Sequence, residues 1–475
     1  MMDLAVIGAG PAGLAAATLA AQAGLDTVLF DEGPAPGGQI YRAVTRTPLQ
    51  RRDTLGADYW HGQSLVKAFE ASGARLEAGC TVWSLDPELE LGVLQAGAAR
   101  MVQARRVVIA TGALERPFPI PGWTLPGVMT VGAGQTLLKS AGLVPEGQVV
   151  LAGCGPLLWL YAAQCLRAGG RIAMLLDTTP RAAYLRRLGD LPAFIASPLL
   201  AKGLALMAEV KRAVVVVKHV TDLAVAGDER VRELRYRCGT GPWQSQAADT
   251  VLLHQGVVPN VNLAMAAGVH HEWDGTQLCW RPQLDGWGQS SIAGLAIAGD
   301  GAGIAGAWAA EERGRLAGIA AVRALKGEGG AGTAAAASTL TGDDAERNVR
   351  QALARHERGR AYLDAVFQPA PQFRLPEGDT LVCRCEEVSA AQIKATVAQG
   401  CEGPNQLKAF LRCGMGPCQG RLCGLTVTEL IARERGVTPA QVGYYRIRPP
   451  VKPIALAALA QMPVDDAAVK AVVRG

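Results

Sequence analysis

The hydrophobic pattern of the first thirty residues predicts a strand, a helix and a second strand. DLAVIG is an unbroken apolar run, an Ala-rich stretch follows it, and TVLFD is apolar up to its closing acid. Short apolar runs between glycines are typical of buried parallel strands, and alanine lets a helix lie close against a sheet. The predicted elements are a strand at 3–8, a helix at 11–23 and a strand at 27–31.

A related pattern returns over residues 149–177, VVLAGCGPLLWLYAAQCLRAGGRIAMLLD. From its first glycine to its closing aspartate this copy runs from Gly153 to Asp177, one residue longer than the span from Gly8 to Asp31. The chain therefore contains a βαβ nucleotide-binding unit and an internal duplicate of it.

Later apolar runs predict how the rest of the chain is divided. Residues 105–117 and 251–260 each end a strand in a small-residue turn, and 294–308 leads one more strand into a helix. A Gly- and Ala-rich stretch at 326–340 is typical of a linker. The predicted units are a first nucleotide-binding domain in two pieces (1–117 and 246–325), a second one (118–245), a linker and helix (326–378), a cysteine-rich unit (379–440) and a tail (441–475).

Composition supports this division. A chain of 475 residues is long for one core, and 57 glycines with 19% charged residues favour an α/β fold over a disordered or fibrous chain. The net charge of +5 is small and its cations are interleaved with acids, so nothing favours nucleic acid as a partner. No apolar run is long enough for a transmembrane segment, and the start shows no charged leader, so we expect a cytoplasmic protein with reduced cysteines.

The loop GAGPAG, residues 8–13, has glycines at the three positions that a dinucleotide-binding loop requires. The first permits the tight turn, the second lets backbone approach a pyrophosphate, and the third lets the helix pack on the strand. Asp31 ends the second strand, where we expect it to accept hydrogen bonds from a ribose. The strand, helix, acid and spacing agree, so we predict a dinucleotide site.

Together GAGPAG, the turn ATG at 110–112 and IAGDGAG at 297–303 resemble the two-dinucleotide-domain flavoprotein reductases of the glutathione-reductase type. The resemblance implies a Rossmann-like α/β flavoprotein with FAD in the first domain and an NAD(P)-type second domain. It also implies that Asp300 binds the ribityl chain of the flavin, although a helix cap would use the same carboxylate. The residues implied for FAD are Gly8, Gly10, Pro11, Ala12, Gly13, Asp31, Glu32, Gly38, Gln39, Ala110, Thr111, Gly112, Gly299 and Asp300.

The second glycine loop departs from the pattern. Gly153 and Gly155 are present, but Leu158 stands at the third position, where its side chain would push the helix off the strand. Asp177 would favour NAD over NADP. We expect a retained fold with a weak or altered nucleotide site, for which an adenine nucleotide (NAD or ATP) is the candidate ligand.

Two pairs of cysteines lie in the C-terminal hundred residues. CRC places two thiols at 383 and 385, and CQGRLC places two more at 418 and 423 within a Gly-rich turn. Four thiolates suit zinc or an iron–sulfur cluster, but structural zinc sites usually begin C-x₂-C or wider. We therefore place a [2Fe–2S] cluster ahead of zinc and ahead of buried free thiols.

CRCEEVSAAQI followed by LKAFLRCGMGPCQGRLCG resembles the [2Fe–2S]-binding domain of the bacterioferritin-associated ferredoxin type, a small helical domain appended to some flavoprotein dehydrogenases. Carried over by position, the resemblance implies metal ligation by four cysteines, and Cys413 is the obvious substitute for one of them. The implied ligands are Cys383, Cys385, Cys418 and Cys423.

The order of modules resembles a narrower group, the FAD-containing α subunits of dye-linked amino-acid dehydrogenases for opines, D-hydroxyproline and L-proline, and of hydrogen cyanide synthase. PGWTLPGVMTVGAGQ, HQGVVPN and CGMGPCQGRLCG carry this likeness. It implies a hetero-oligomer with an FAD-containing β subunit of the amino-acid-oxidase type, a small ferredoxin-like γ subunit in some members, and FMN at a subunit boundary. It also implies peripheral association with a membrane through the complex.

The leading hypothesis is an FAD-dependent oxidoreductase subunit that relays electrons from a partner through FAD and [2Fe–2S]. The alternatives are a self-sufficient NAD(P)H-dependent reductase and a zinc-stabilised interaction protein. No catalytic residue can be assigned, because the histidines at 254, 270 and 271 are scattered and we expect them to be structural or surface residues.

Overall fold

A computed structural model of the chain describes residues 1–49, 51–327 and 339–463. These residues form two Rossmann-like sheets, a helical segment and a small helical unit at the C-terminal end. Most of the predicted linker at 326–340 lies outside the described residues, although its first two residues end a helix.

The first sheet grows from the predicted βαβ unit. Its strand order is β3-β2-β1-β6-β5-β4, and a late strand, β19 (Leu295–Ile297), pairs with β6. β1 pairs in parallel with β2 and with β6, while β4 and β5 form an antiparallel extension. The elements are β1 (Met2–Ile7), α1 (Pro11–Gln22), β2 (Thr27–Asp31), α2 (Arg52–Leu55), α3 (Ala57–Glu70), β3 (Arg75–Ala78), β4 (Cys80–Leu85), β5 (Glu90–Gln95) and β6 (Ala98–Ile109).

The second sheet is parallel throughout, in the order β11-β10-β9-β15-β8. Between β11 and β15 the chain forms a separate three-stranded antiparallel sheet of β12, β13 and β14. The elements between residues 113 and 259 are β7 (Ala113–Glu115), β8 (Val128–Thr130), α4 (Val131–Ala141), β9 (Val149–Cys154), α5 (Pro156–Arg167), β10 (Met174–Asp177), α6 (Leu191–Ile195), α7 (Pro198–Ala213), β11 (Val215–Lys218), β12 (Asp222–Gly227), β13 (Val231–Arg237), β14 (Gln244–Ala247), β15 (Thr250–Gln255) and β16 (Val257–Pro259).

The structure differs from the predicted boundary at residue 245. β15 falls in the predicted second piece of the first domain, yet it pairs with β9 in the second sheet, with Thr250 opposite Val149. The chain returns towards the first sheet only at β16, which pairs antiparallel with β7. A buried parallel strand has the same apolar pattern in either sheet. The pattern alone therefore assigned β15 to the first domain, although it belongs to the second sheet.

The remaining described elements, apart from β19, follow β16 along the chain. They are α8 (Asn262–Ala266), β17 (His271–Asp274), β18 (Cys279–Pro282), α9 (Ala307–Gly327), α10 (Asp343–Glu357), α11 (Arg360–Val366), β20 (Leu381–Cys383), β21 (Val388–Ser389), α12 (Ala390–Ala398), α13 (Pro404–Leu411), α14 (Gly424–Arg435), α15 (Pro439–Val442) and α16 (Leu456–Ala460). Single 3₁₀ turns occupy Arg181–Leu185, Leu188–Asp190, Gly299–Ala302 and Pro371–Phe373.

Helix α1 is almost entirely apolar because it is covered on two sides, by the sheet and by α9. A Cβ atom added to Gly314 of α9 would lie 2.1 Å from the carbonyl oxygen of Ala12, so the two helices touch along their backbones. At this position only glycine permits an approach this close.

The C-terminal unit packs against the first sheet. Ile7 and Phe30 of that sheet belong to the same hydrophobic cluster as Ile393 and Leu430 of the helical unit. The predicted tail also differs from expectation, because Tyr445, Ile447 and Val451 are buried in this cluster and the backbone N–H of Val451 donates to the Trp83 carbonyl at 2.8 Å. The unit therefore extends beyond residue 440.

Within the described ranges, no single helix has the length and apolar character to cross a membrane, and one pair bent by 83° (Leu188–Ile195 with Pro198–Ala213) meets those criteria only when taken together.

Candidate functional site

The first glycine loop closes tightly on the sheet, as its spacing predicts. A Cβ on Gly13 would lie 1.8 Å from the Gly8 carbonyl oxygen, and one on Gly38 would lie 2.7 Å from the Gly10 Cα. No side chain caps α1, so its first amides are left for an anionic group such as a pyrophosphate. The loop thus presents bare backbone, which is what close approach of a dinucleotide needs.

Asp31 and Glu32 take different positions at the end of β2. The Asp31 carboxylate accepts hydrogen bonds from the backbone N–H of Ala9 at 2.5 Å and of Gly33 at 2.6 Å, and burial raises the pKa of this carboxyl. Glu32 is exposed and pairs with Lys452 at 2.8 Å. Asp31 therefore holds the glycine loop in shape, and ribose contact by either acid stays a prediction.

The other predicted FAD residues approach the loop from two further turns. Asp300 accepts from the backbone N–H of Ala305 at 2.9 Å and of Gly306 at 3.0 Å, so it does stabilise the turn before α9, as its alternative role requires. In the 110–112 turn, Thr111 Oγ1 is buried and makes no hydrogen bond to any described residue. A buried hydroxyl without a partner is costly, and a polar cofactor edge would satisfy it.

One cavity of about 1880 Å³ joins these turns. It is larger than the roughly 300–1,000 Å³ of ordinary ligand pockets, so it has room for a dinucleotide. All the residues predicted for FAD line it except Gly13, which lies behind the loop where the helix meets the strand. The residues present therefore fit an FAD.

The second glycine loop opens into the same cavity through Gly155 and Asp177. Leu158 is fully buried among the core side chains between α5 and the sheet, so the third glycine position is filled by packing. Asp177 is 3% exposed, accepts from the Thr179 backbone N–H at 2.9 Å, and has its pKa raised by burial. This carboxylate stabilises the turn that follows β10, and binding of an adenine nucleotide at this loop stays a prediction.

A carboxylate–histidine pair lies between the two loops, and no motif spacing joins its two members, although His254 opens the HQGVVPN motif. His254 is buried at 2% exposure, and its Nδ1 is 2.6 Å from Glu115 Oε1. Glu115 Oε2 accepts from the Gly132 backbone N–H at 2.8 Å. Both side chains line the cavity, so the expectation that His254 is merely structural misses a polar pair at the site.

A buried lysine also faces the cavity. Lys139 on α4 is 2% exposed, and its Nζ donates to the carbonyls of Gln39 at 3.2 Å and Ile40 at 2.9 Å and to Gln135 Oε1 at 2.9 Å. Burial lowers the pKa of Lys139 to about 7. Lys139 of the second domain is thus hydrogen-bonded to the backbone of residues 39–40 in the first domain, which include the predicted FAD residue Gln39.

The cysteines of the C-terminal unit lie close together, although the tightest group includes Cys413, which is not one of the four predicted ligands. Cys383 and Cys423 are buried and lie with Cys413 in one group whose sulfurs are all within 4.8 Å of one another. Cys385 and Cys418 are partly exposed, and their thiols are in hydrogen-bond contact. Two of the four predicted ligands therefore lie with Cys413, the other two contact each other, and metal ligation by the predicted four stays a prediction.

Cys413 and Tyr445 complete the buried side of this cluster. The Tyr445 hydroxyl donates to Cys413 Sγ at 3.4 Å and is 3.8 Å from Cys423 Sγ. Hydrogen bonds from Cys413 and Cys423 lower the pKa of Cys383 to about 2, while the bond to Cys383 raises the pKa of Cys413 to about 12. One thiolate is thus stable here at neutral pH, which suits a metal ligand.

The cysteine loop reaches the cavity of the first domain. Asn262 Nδ2 donates to the carbonyl of Gln419 at 3.0 Å, and both Asn262 and Arg421 line the cavity. The cysteine cluster therefore belongs to a unit that abuts the candidate flavin site.

A model of the pyridine nucleotide-disulphide oxidoreductase family matches residues 2–324, and the chain belongs to this family. It is therefore an oxidoreductase, and the family supports FAD as its cofactor. A model of the sarcosine oxidase A3 domain matches residues 377–462, which agrees with a unit that continues past residue 440.

Similar proteins and solved structures narrow the comparison to particular enzymes. The A subunit of opine oxidase from Agrobacterium tumefaciens (strain Ach5) is 48% identical over 99% of this chain and 93% of its own length. Hydrogen cyanide synthase subunit HcnB of Pseudomonas aeruginosa is 31% identical over 95% of this chain and 97% of its own. The crystal structure of L-proline dehydrogenase from P. horikoshii covers 97% of this chain and 79% of that one, with a TM-score of 0.69 and 18% identity, which shows a shared fold. The predicted fold class is thus confirmed, while the ferredoxin-type identity of the C-terminal unit stays a prediction.

Proposed function

We propose that the chain is the electron-transferring FAD/[2Fe–2S] subunit of a heteromeric amino-acid dehydrogenase of the proline, hydroxyproline or opine type. The relatives point to a subunit of such an enzyme, because the opine oxidase A subunit and HcnB are similar along nearly the whole chain. The single observation that carries the proposal is a cluster of cysteines whose loop contacts the wall of a flavin-type cavity.

The side chains suit the two cofactors in different ways. The glycine loop with its Asp31 brace, the 110–112 turn and Asp300 would hold FAD, which supplies two-electron chemistry when bound. The pairs Cys383 with Cys423 and Cys385 with Cys418 would each supply two thiolates, as a two-iron cluster requires. Such a cluster carries one electron at a time.

The C–N bond of the substrate would be oxidised on a partner, an FAD-containing β subunit of the amino-acid-oxidase type. The proposal includes two further components of the complex, FMN at the subunit boundary and a small ferredoxin-like γ subunit. It also includes a cytoplasmic location with peripheral membrane association through that complex.

Leu158 fills the third glycine position of the second loop, which disfavours the alternative of a self-sufficient NAD(P)H reductase. In the intact first loop the helix approaches so closely that no Cβ fits at Gly13, whereas a whole leucine is accommodated at the matching place in the second loop. The helix N-terminus at α5 is therefore set differently from the one that the dinucleotide fingerprint requires.

The test compares the purified chain with the chain co-expressed with its partner flavoprotein. Alone, the chain should contain flavin and iron and should not oxidise proline, hydroxyproline or an opine with a dye as acceptor. The co-expressed complex should oxidise one of them. Rapid oxidation of any of these substrates by the chain alone would refute the proposal.

A further inference from the structure

Two of the clustered cysteines lie near the surface, and the segment that carries Cys418 also has exposed apolar side chains. Cys385 and Cys418 are partly exposed, whereas the other three thiols of the cluster are buried. Large apolar side chains on the same loop and on the preceding helix stand in solvent: Phe410 is 55% exposed, Met415 46% and Leu422 40%. Exposed apolar groups of this size in one place are typical of an interaction surface.

The segments that carry this surface are strongly basic. Residues 403–428 and 443–463 contain Lys408, Arg412, Arg421, Arg446, Arg448 and Lys452 but no aspartate or glutamate. Over residues 383–452, which also hold five glutamates, ten Lys and Arg leave a net charge of +5, so the stretch around the cysteine cluster is basic.

The two segments lie side by side. Lys408 Nζ donates to the Arg446 carbonyl at 3.4 Å, and the Arg446 backbone N–H donates to Asn405 Oδ1 at 2.7 Å. Tyr445 and Ile447 are buried, while Arg446 and Arg448 alternate with them and are exposed. This alternation directs the two arginines outward beside α13.

Part of this charge lacks a carboxylate partner. Arg412 pairs with Glu386 and Lys452 pairs with Glu32. Among the residues that the structure describes, Lys408, Arg446 and Arg448 have no acidic neighbour in an ion pair. Burial and then the nearby Arg448 lower the pKa of Lys408, so like charges repel one another here. An acidic partner would relieve that repulsion.

We propose that this surface, which we call the cluster face and define as Phe410, Met415 and Leu422 with Lys408, Arg446 and Arg448, docks an acidic one-electron redox protein. The inference rests on the proposed function and adds the chemistry of the acceptor. One electron passes from the reduced cluster, which is oxidised, to the redox centre of the partner, which is reduced by that one electron. No bond is made or broken and no proton moves. The partly exposed thiol of Cys418, within four residues of both Met415 and Leu422, favours a redox protein over an anionic membrane as the occupant.

Two forms of one probe test the charge requirement. Basic cytochrome c and its succinylated, acidic form accept one electron each at the same haem. The flavin of the full-length, iron-containing chain is reduced photochemically, and haem reduction is followed at low and at high salt. At low salt the acidic form should be reduced at least about tenfold faster than the basic form, and added salt should remove the difference. Equal rates for the two forms would overturn the proposal.

Matched charge reversals locate the effect. The double variant Arg446→Glu with Arg448→Glu should slow reduction of succinylated cytochrome c about tenfold or more and leave iron content unchanged. Lys211→Glu with Arg212→Glu makes the same charge change at exposed positions of α7 and should have less than about a twofold effect. Equal losses in both double variants would contradict a local docking face.

Two controls separate the possible failures. If the wild-type chain holds no iron or does not pass electrons to a small dye, the proposed function fails. If dye reduction is normal but the two cytochromes are not distinguished, only the docking proposal fails. Binding of the cluster face to phosphatidylglycerol vesicles, lost in the Arg446/Arg448 variant, together with equal cytochrome rates would assign the face to a membrane and overturn the proposal.

Discussion

Asp31 and Glu32 are neighbours in the sequence, and the structure gives them separate tasks. Asp31 braces the glycine loop through two backbone amides, while Glu32 pairs with Lys452 from the far end of the chain. The position of an acid at the end of β2 could be read from the spacing, because it is a local feature. Which atoms it bonds could not, since the loop and the C-terminal segment meet only in the folded chain.

The same limit applies to Glu115, His254 and Cys413. Glu115 and His254 lie 139 positions apart, and each looks unremarkable in its own stretch. Cys413 is named from the sequence only as a substitute ligand, but folding brings it to Cys383 and Cys423. Paired motifs such as CRC carry their partner within the sequence, whereas these contacts depend on how the sheets and the helical unit assemble.

Single serine substitutions test which thiols are ligands. We expect Cys385→Ser and Cys418→Ser each to lose most of the bound iron, because they form one of the two ligand pairs. Cys413→Ser should retain iron, since a hydroxyl can replace the thiol as a hydrogen-bond donor to Cys383. Cys401→Ser, at a buried thiol outside the cluster, is the control. Iron retained in Cys385→Ser but lost in Cys413→Ser would instead assign the site to residues 383, 413 and 423.

Lys139 should make stability depend on pH. Burial lowers its folded-state pKa to about 7, whereas the unfolded chain keeps a lysine pKa of about 10.4. Between these values the unfolded state binds the extra proton, so raising the pH favours the folded state. The free energy of unfolding of the wild type minus that of Lys139→Met should therefore rise from pH 7 to 9, by up to about 1.4 kcal/mol per pH unit. A difference that stays flat across this range would show that Lys139 remains charged.

At the scale of elements, α1 and α5 show how the third glycine of a nucleotide loop determines how closely the helix approaches the strand. Both helices begin with proline after a glycine, and both follow a buried parallel strand. Gly13 brings α1 into backbone contact with the strand end, whereas Leu158 fills that space under α5. The degraded second loop was readable from the sequence because the third glycine has a simple steric purpose. The side of the boundary on which β15 lies was not readable, because it depends on pairing partners.

Substituting that glycine should separate flavin binding from helix propensity. Gly13→Ala places a methyl group 1.8 Å from the Gly8 carbonyl, so α1 must move away and the flavin content should fall to a small fraction of the wild type. Gly203→Ala, in the middle of α7, meets no atom within 4 Å and should stabilise the protein by up to about 1 kcal/mol. Flavin absorbance per chain and unfolding in urea measure both effects. Full flavin content in Gly13→Ala would contradict the assignment of this loop.

At the scale of the whole molecule, the C-terminal unit, its tail and the first sheet form one packed body. The predicted end of the unit at residue 440 stops before Tyr445, whose ring contacts the positions of Gly414 and Gly420 in the cysteine loop. The motif located the cysteines because ligand spacing is local. It could not show that a Pro- and Ala-rich tail returns to close the cluster, since the short alternation of apolar and basic residues at 445–448 does not specify the surface on which it packs.

Two truncations test whether the tail belongs to the cluster. A chain that ends at residue 463 should fold and bind iron as the full chain does. A chain that ends at residue 440 loses the buried side chains Tyr445, Ile447 and Val451, each worth about 1.5–3 kcal/mol of burial, and should lose its iron. Metal analysis and thermal unfolding compare the two. Equal iron in both would show that the unit ends where the motif ends.

The account depends most on four thiols that hold two irons beside a flavin. Electron paramagnetic resonance of the photoreduced, full-length chain measures this directly, together with iron, acid-labile sulfide, zinc and flavin content. We expect a spin-½ signal of a reduced [2Fe–2S] cluster at close to one spin per chain, with two irons, two sulfides and one flavin. A chain that contains zinc, no labile sulfide and no such signal would contradict it.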